Sequence, residues 1–275
     1  MNYRHAYHAG NFADVMKHTA LVAVLLHLRK KEAPFAVIDT HAGRGLYDLS
    51  GIEAQKTGEA AQGIACLGQV PAGNEPLQTY LGIARSFGPE IYPGSPLIAA
   101  RLLRPQDRLV AIEKHPEECE ALIAALKPFR NARVSCADGY RRLPALLPPQ
   151  ERRAAILIDP PFEAPDEFAQ LAQTLGDALK RFATGIYLAW FPIKTKNDAD
   201  ALSGEVLARG AAKLLCIQLD VGAFTEDRLS RTGLLVVNPP YGFDMQMREA
   251  LDMLATSLGR ERPAQWAVEW LAGES

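Results

Sequence analysis

The chain has 275 residues, enough to bury a large hydrophobic core without the help of disulfides or a metal ion. Its composition, with 48% hydrophobic and 23% charged residues, excludes a disordered or fibrous protein. Lysine and arginine number 30 and aspartate and glutamate 32, so the net charge is −2. This balance excludes a protein that holds nucleic acid by bulk positive charge, although it does not exclude a basic face.

The cysteines and the start of the chain bear on its compartment. Cys66, Cys119, Cys136 and Cys216 form no CxxC pair, so the sequence contains neither a zinc ribbon nor a redox motif. We expect single buried thiols in a reducing compartment. The first residues lack a hydrophobic signal region, and no apolar run approaches the ~20 residues of a membrane span. These features predict a cytoplasmic protein without membrane association.

The first predicted element is a helix that begins at Asn11, a favoured N-cap residue. Asp14, three residues later, can reach back to the unpaired backbone N–H groups of the first turn. The helix runs through residues 15–28 and ends in the basic residues 29–31, whose charges complement the helix dipole. Pro34 prevents it from continuing.

Seven short apolar segments alternate with helical segments and predict strands. They cover residues 35–38, 109–112, 133–136, 155–158, 185–190, 213–219 and 234–237. The last two follow each other without an obvious helix between them, which favours an antiparallel pair. We therefore predict one α/β domain over residues 1–275, with a seven-stranded, mostly parallel sheet and an antiparallel last strand. This arrangement resembles the Rossmann-like fold of AdoMet-dependent methyltransferases.

The connection between the first two strands is far longer than a crossover requires. We assign residues 47–92 to an inserted helical subdomain with weakly helical runs at 57–67 and 76–87. It serves either as a spacer or as a grip on the substrate. After it, Ser95-Pro96 has the pattern of a helix N-cap followed by proline at the first helical position.

The strongest local signal is the apolar strand 155–158 followed by Asp159-Pro160-Pro161-Phe162. This motif is similar to the Asp-Pro-Pro-aromatic motif of amino-group methyltransferases. A carboxylate and a backbone carbonyl that accept the two N–H bonds of adenine N6 direct the lone pair of this weak nucleophile toward the methyl donor. The prolines hold the acceptors rigidly, and the aromatic ring stacks on the base. We predict catalytic roles for Asp159, Pro160 and Phe162; an ordinary strand-ending turn is the alternative.

A second segment, Asn238-Pro239-Pro240-Tyr241, matches the same motif after the strand 234–237. Ligands of open α/β sheets bind at the carboxyl ends of the parallel strands. Because the last strand is expected to be antiparallel, its carboxyl end should lie at the opposite edge of the sheet. We therefore assign the chemistry to Asp159 and not to Asn238.

Acidic and glycine residues follow three predicted parallel strands, where a nucleotide cofactor binds. The first strand leads into Asp39-Thr40-His41-Ala42-Gly43, a turn whose glycine lets the backbone approach a ligand closely. His41 stands where many methyltransferases have the first glycine of this turn. Glu113 follows the second strand, in the position that holds ribose hydroxyls, and Asp138-Gly139 follows the third, where an acid usually contacts the cofactor adenine.

The segment 3–18 combines aromatic, basic and imidazole side chains ahead of the sheet. Rings and cations together suit an unpaired nucleic-acid strand. We expect RNA contacts from Tyr3, Arg4, His5 and His8. Lys17 and His18 are expected to face the cofactor. A metal site built from the histidines of this segment and Asp14 is the weaker interpretation, because the spacing fits no metal motif, and no metal is predicted.

Two arginine pairs, Arg141-Arg142 and Arg152-Arg153, are further candidates for RNA contacts. A solvated surface is the alternative for both pairs.

Four segments together resemble the RlmJ family of 23S ribosomal RNA adenine-N6 methyltransferases. They are residues 3–18, 39–43, 92–96 and 159–161, and the similarity extends over essentially the whole chain. The resemblance implies that Asp159 is the catalytic acceptor and that Tyr3 contacts the target RNA. It implies AdoMet contacts from His18, His41, Ser95, Glu113, Asp138 and Gly139, to which we add Lys17 and Gly43. Phe162 replaces the tyrosine usual in the family, which preserves stacking but removes a hydroxyl contact.

The leading prediction is N6-methylation of an adenine in 23S ribosomal RNA, with AdoMet as donor and no obligate protein partner evident. A DNA adenine methyltransferase would use the same chemistry, but no separate DNA-reading module is recognisable. A non-catalytic nucleic-acid-binding protein of DNA uptake would not need the intact Asp159 and glycine turn. A nicotinamide dehydrogenase has no use for Asp-Pro-Pro-Phe.

Overall fold

One eight-stranded sheet with helices on both faces forms the body of the protein. The computed structural model describes residues 8–68, 73–195, 197–222 and 229–273. The strands in these ranges are β1 (Ala36–Asp39), β2 (Leu46–Asp48), β3 (Ile91–Pro93), β4 (Arg108–Glu113), β5 (Ala132–Cys136), β6 (Ala154–Ile158), β7 (Ile186–Pro192), β8 (Leu214–Asp220), β9 (Arg231–Val237) and β10 (Gln265–Ala272). The helices are α1 (Phe12–Arg29), α2 (Ile52–Thr57), α3 (Glu75–Arg85), α4 (Ser95–Leu102), α5 (Pro116–Leu126), α6 (Gly139–Arg142), α7 (Glu167–Arg181), α8 (Asp198–Ala208) and α9 (Phe243–Leu258).

The strands of the main sheet are ordered β10-β8-β9-β7-β6-β1-β4-β5. From β7 to β5 all neighbouring strands are parallel. β9 lies between β7 and β8 and is antiparallel to both. The predicted parallel strands and the predicted antiparallel pair, now β8 and β9, are therefore confirmed.

The predicted count of seven strands is wrong by one, because β10 pairs antiparallel with β8 at the edge of the sheet. Within β10 only Val268 is fully buried, while Gln265 and Glu269 are exposed. An edge strand with one solvated side lacks the continuous apolar run by which the other strands were recognised.

The parallel strands give the sheet two different edges. We call the edge at which β1, β4, β5, β6 and β7 end the carboxyl edge, and the edge at which they begin the amino edge. Successive residues of β1 point to opposite faces. Val37 packs in a core shared with α1, α4 and α9, and Ile38 packs in a core shared with α7 and α8. Both faces are covered, as a parallel sheet requires.

Helix α1 follows the sequence prediction closely. The Asn11 side chain accepts a hydrogen bond from Asp14 N at 3.0 Å, and Asp14 in turn accepts one from Gly10 N at 2.8 Å. These reciprocal bonds satisfy backbone donors that the first turn leaves unpaired. The helix carries two basic side chains, His27 and Arg29, in its last turn.

The segment between β1 and α4 is closed at its base by the antiparallel pair β2–β3. The predicted helical run 76–87 corresponds to α3. The predicted run 57–67 is instead the end of α2 followed by two short 3-10 turns, Ala60–Gln62 and Ile64–Cys66. Gly58 ends α2 in the left-handed conformation, with φ of 65°, and thereby prevents a continuous helix.

The expectation of four single buried thiols is wrong. Cys119 on α5 and Cys136 at the end of β5 form a disulfide with a Cα–Cα distance of 5.8 Å. The β4–α5–β5 unit brings them together, and no short sequence motif marks this pairing. Cys216 is buried and Cys66 is exposed. In the ranges described, no helix is long and apolar enough to cross a membrane.

Candidate active site

A cavity of about 460 Å³ lies at the carboxyl edge of the sheet. It is lined by nine of the eleven residues predicted to be catalytic or to bind the cofactor: Lys17, His18, His41, Gly43, Ser95, Glu113, Asp138, Gly139 and Asp159. The other two, Pro160 and Phe162, belong to the turn that follows Asp159, and Pro161 of the same turn lines the cavity. A second cavity of about 380 Å³, between the 3-10 turns and the end of α9, contains none of the predicted residues.

Two glycines shape the wall of the cavity. Gly43 has φ of +62°, and a Cβ atom there would lie 2.1 Å from the Tyr47 hydroxyl oxygen. A Cβ atom on Gly139 would lie 2.0 Å from the carbonyl oxygen of Thr40. Gly139 requires glycine because a Cβ atom cannot approach a backbone oxygen so closely, and the left-handed φ of Gly43 favours glycine there. The backbone therefore forms the cavity wall directly at both positions.

Glu113 fixes the turn that contains Gly43. Its carboxylate accepts hydrogen bonds from Gly43 N at 2.9 Å and from His115 N at 2.7 Å. The acid at the end of β4 therefore holds the glycine turn while it lines the cavity. The neighbouring Arg44 forms a two-pronged bond with Glu118, both contacts at 3.0 Å.

Asp138 lies across the cavity at the start of α6. It caps this helix by accepting from Arg141 N at 3.2 Å, and Lys114 Nζ lies 3.2 Å from its other oxygen. Desolvation would raise the pKa of Asp138, but these hydrogen bonds and the Lys114 charge lower it overall. Desolvation lowers the pKa of His41 to about 4, so this ring is neutral at pH 7. It packs edge-on against Tyr140, with centroids 4.8 Å apart.

Asp39, at the end of β1, is a buried acid that the sequence prediction left without a role. Ser95 Oγ donates to Asp39 Oδ2 at 2.6 Å, whereas Asp39 Oδ1 is buried without a hydrogen-bond partner among the described residues. Burial raises the pKa of Asp39 to about 7, although the Ser95 bond opposes the shift. The prediction that Ser95 is an N-cap is therefore wrong. Gly94 is the N-cap of α4, and the Ser95 hydroxyl donates to Asp39 instead.

Lys17 connects α1 to the end of β6. Its Nζ lies 2.5 Å from Asp159 Oδ2 and 2.8 Å from Asp14 Oδ1, and its side chain is 4% exposed. Burial alone would lower the pKa of Lys17, but the charges of Asp14 and Asp159 outweigh it, and the pKa is raised. We predicted that Lys17 faces the cofactor; the structure shows it bonded to the predicted catalytic acid as well as lining the cavity.

An aromatic wall stands beside Asp159. Phe162 adopts a left-handed backbone conformation, with φ of 52°. Its ring packs against Phe168 and Trp190, at centroid distances of 4.7 Å and 5.7 Å. Trp190 Nε1 donates to Thr232 Oγ1 at 2.6 Å, and Lys17 Nζ lies 5.7 Å from the Trp190 ring. Trp190 was not among the predicted site residues, and its place at the end of a predicted parallel strand is the signal that could have found it.

His18 lies deeper, in a buried polar chain. Its Nδ1 is 2.7 Å from the Tyr92 hydroxyl, which is 3.0 Å from the Tyr80 hydroxyl. The His18 and Tyr92 rings are stacked, with centroids 5.8 Å apart. These hydrogen-bonded side chains join α1 to β3 and α3, so the segment between β1 and α4 supports one wall of the cavity.

Asn238 is located far from this cavity. It follows β9, which pairs with the beginning of β7, and its side-chain amide donates to the carbonyls of Ala183 and Gly185, both at 2.8 Å. Both amide hydrogens are therefore engaged by backbone at the amino edge. The sequence analysis set this second motif aside because an antiparallel last strand would end at the opposite edge, and the position of Asn238 agrees with that reasoning.

The predicted RNA contacts Tyr3, Arg4 and His5 lie outside the described residues. His8 Nδ1 is 2.9 Å from Glu59 Oε1, and Asn11 donates to the same carboxylate. Two other side chains considered as metal ligands also have protein partners: His18 bonds to Tyr92, and Asp14 bonds to Lys17. Within the residues that are placed, no group of three or more His, Cys, Asp or Glu side chains could hold a metal ion.

The chain is similar to known proteins over its whole length. The family model described as "Ribosomal RNA large subunit methyltransferase D, RlmJ" matches residues 32–272. Two proteins named "Ribosomal RNA large subunit methyltransferase J", from Haemophilus influenzae and Escherichia coli, are each 38% identical and are matched over 100% of both chains. A solved structure of a Legionella pneumophila protein is 31% identical and superposes with a TM-score of 0.87 over 95% of this chain and 98% of that one.

Proposed function

The chain belongs to the RlmJ family of large-subunit ribosomal RNA methyltransferases, and from this premise we propose that it transfers a methyl group from AdoMet to N6 of an adenine in 23S ribosomal RNA. The observation that carries the proposal is the position of Asp159, held by Lys17 at the end of a central parallel strand beside a glycine-walled cavity. Ligands of open α/β sheets bind at this edge.

The residues of the cavity fit AdoMet. Gly43 and Gly139 present backbone to the cavity, and the absence of a Cβ atom lets their turns pack closely against Tyr47 and Thr40 in the cavity wall. Glu113 and Asp138 supply acceptors suited to ribose hydroxyls and to an amino group. The neutral His41 ring adds no positive charge next to a cationic sulfonium. When bound, AdoMet supplies a methyl group that is already activated by its sulfonium sulfur.

Asp159 prepares the amine for attack. Lys17 engages Oδ2 of Asp159, which leaves Oδ1 to accept one N–H bond of adenine N6, while the Pro160 carbonyl accepts the other. These two acceptors turn the N6 lone pair toward the methyl group and take up the positive charge that develops on nitrogen. The second ion pair of Lys17, with Asp14, fixes the ammonium group and so fixes the carboxylate before substrate arrives.

The aromatic wall supports an adenine that has left its stack. The partly exposed Phe162 and Trp190 rings present a stacking surface next to Asp159. Stacking between base and aromatic ring is worth about 1–3 kcal/mol, which offsets part of the cost of extruding the base. Tyr3, Arg4, His5 and His8 remain proposed contacts to the surrounding RNA.

Substitution of Asp159 tests the assignment. With protein-free 23S RNA from cells that lack the enzyme, and labelled AdoMet, we expect Asp159→Ala to lower the methyl-transfer rate by about 10²–10⁴-fold. AdoMet affinity, measured by calorimetry, should change only a few-fold. Asn238→Ala is the matched control and should retain nearly full activity. An Asp159→Ala variant that methylates at the wild-type rate would refute the mechanism.

The same assay distinguishes the runner-up activity. A DNA adenine methyltransferase would methylate duplex DNA at least as fast as RNA, so both substrates are offered at equal concentration and the modified base is mapped. We propose a cytoplasmic location on the ground of the RNA substrate alone.

A further inference from the structure

Four chain segments meet at the amino edge of the sheet, which is opposite the carboxyl edge where the cavity lies. They are residues 27–35, 103–108, 127–133 and 147–153, which precede β1, β4, β5 and β6. Backbone carbonyls tie them together. Arg104 donates to the carbonyl of Lys31, and Arg153 to that of Leu28. Asn131 donates to the carbonyl of Arg104, so the four segments form one continuous surface.

This surface is strongly positive. We call it the basic edge and define it by ten side chains: Arg29, Lys30, Lys31, Arg104, Arg108, Lys127, Arg130, Arg133, Arg152 and Arg153. The same segments contain only three carboxylates, so they carry an excess of seven positive charges. Because the whole chain has a net charge of −2, the rest of the molecule carries −9. The balanced composition therefore conceals a marked separation of charge.

Most of these cations have no acidic partner. Arg104 pairs with Asp107 and Arg108 with Glu151, each at 2.8 Å. Over the described part of the chain, no carboxylate lies within ion-pair distance of the other eight, and seven of those eight are exposed. The pKa of the neighbouring His27 is lowered, first by burial and then by the charges around it, which reflects the same positive potential.

Local structure explains some of these charges but not all of them. Arg29 and Lys127 lie at the ends of α1 and α5, where a cation interacts favourably with the helix dipole. Arg104, Arg133 and Arg153 donate to backbone carbonyls. Lys31, Arg130 and Arg152 make no such contact among the described residues, and a net charge concentrated in this way opposes folding. A polyanionic ligand would relieve the repulsion between these charges.

The composition of the basic edge identifies the class of ligand. None of the exposed large hydrophobic side chains belongs to these four segments, so the surface offers no apolar anchor for a protein or a membrane. Its charged groups are mainly guanidinium and ammonium groups, which match the phosphates of a nucleic-acid backbone. We propose that the basic edge binds the backbone of an RNA helix that lies outside the stem containing the target adenine. This inference rests on the proposed function.

Distance explains why a second RNA element is required. The six residues of β4 separate the basic edge from the cavity, which corresponds to about 20 Å at ~3.3 Å per residue. An isolated stem of only a few base pairs, held at the cavity, does not span this distance. A long, folded RNA reaches both, so the basic edge favours a large RNA over a small one that contains the same target site.

Two charge-reversal variants test the proposal. Lys31→Glu/Arg130→Glu alters the basic edge outside its helices. Lys180→Glu/Arg209→Glu produces the same change in net charge on α7 and beside α8, where each cation faces a carboxylate of its own helix. Thermal melting first establishes that both variants are folded. The RNAs are a 23S transcript of several hundred nucleotides that contains the methylated adenine, and an isolated stem with that adenine.

The prediction concerns the difference between the two RNAs. For the basic-edge variant, we expect the Kd of the long transcript to rise at least tenfold at ~0.1 M salt, with a salt dependence reduced by about 1.5–2 in logarithmic slope. Its Kd and methylation rate on the short stem should stay within twofold, and the control variant should stay within twofold on both RNAs. Unchanged binding of the long transcript, or equal losses on both RNAs, would overturn the proposal.

A further probe separates this inference from the proposed activity. Duplex poly(A)·poly(U) contains no target site, and its binding can be measured whether or not any RNA is methylated. If the proposed methylation is wrong but the basic edge binds RNA, wild-type protein still binds this duplex at least tenfold more tightly than the basic-edge variant does. Equal binding by wild type and variant refutes the basic edge independently of catalysis.

Discussion

Replacing Asp39 by asparagine should change how the stability of the protein depends on pH. Asp39 is 1% exposed, its Oδ1 has no hydrogen-bond partner among the described residues, and its pKa is raised from 3.8 to about 7. Between these two values the unfolded chain releases the proton while the folded chain keeps it. The contribution of Asp39 to stability is therefore fully present below pH 4, falls as the pH rises, and levels off above pH 7.

The size of the effect follows from the shift. One pKa unit corresponds to 1.36 kcal/mol, so a shift of about three units removes about 4 kcal/mol of stability between pH 4 and pH 7. Asparagine cannot ionise and avoids this loss. It also introduces an amide N–H₂ group where Oδ1 has no partner, at a cost of about 1–3 kcal/mol that does not depend on pH. Only the pH-dependent part measures the buried charge.

Urea denaturation at pH 5, 6, 7 and 8 measures the difference in unfolding free energy between Asp39→Asn and wild type. We expect this difference to shift in favour of the variant by about 3 kcal/mol between pH 5 and pH 8, since two units of the window lie above pH 5. Asp177→Asn, at an exposed acid on α7, should show no such gain. A difference that stays constant with pH would refute the raised pKa of Asp39.

Three further substitutions test other contacts of the site and the fold. Lys17→Met leaves Asp14 and Asp159 facing each other without their shared cation, so we expect a loss of about 3–5 kcal/mol in unfolding free energy and loss of methyl transfer; retained activity at full stability would contradict the role given to the ion pair. Asn238→Ala removes two hydrogen bonds and puts alanine at φ of 55°, so thermal melting should show about 2–4 kcal/mol of destabilisation while the methyl-transfer rate below the melting temperature is unchanged. Gly139→Ala forces a Cβ atom toward Thr40 O and should cost about 1–3 kcal/mol together with at least tenfold of AdoMet affinity by calorimetry; unchanged affinity would show that the cofactor does not approach this wall.

Strand polarity explains why the sequence located much of the site. Parallel strands buried on both faces produce continuous apolar runs, and the residue after each run must lie at one edge. Glu113, Asp138 and Asp159 were found in this way, and the structure brings them around one cavity. The same reasoning distinguished the two Pro-Pro motifs, because it used the direction of β9 rather than the amino-acid sequence of the motif.

What the sequence missed depends on tertiary contacts. The disulfide joins residues 17 positions apart through the packing of α5 on β5, and no spacing rule marks it. The partner of Lys17 is 142 residues away, so the ion pair with Asp159 depends on the placement of α1 over the sheet. The basic edge was not predicted for a similar reason: its cations come from four separate segments. The sequence indicated residues 29–31 only as the basic end of a helix and Arg152-Arg153 only as an isolated pair.

The reversed direction of β9 has a practical use in spectroscopy. The strand delivers the turn that contains Tyr241, which is 89% exposed, to the amino edge and far from the cavity. Two strand spacings, about 10 Å, separate β9 from β6, where the basic edge begins. A fluorophore attached at Tyr241 would thus sense ligands that arrive at the amino edge while leaving the methyl-transfer chemistry undisturbed, so occupancy of the two edges could be recorded separately in one sample.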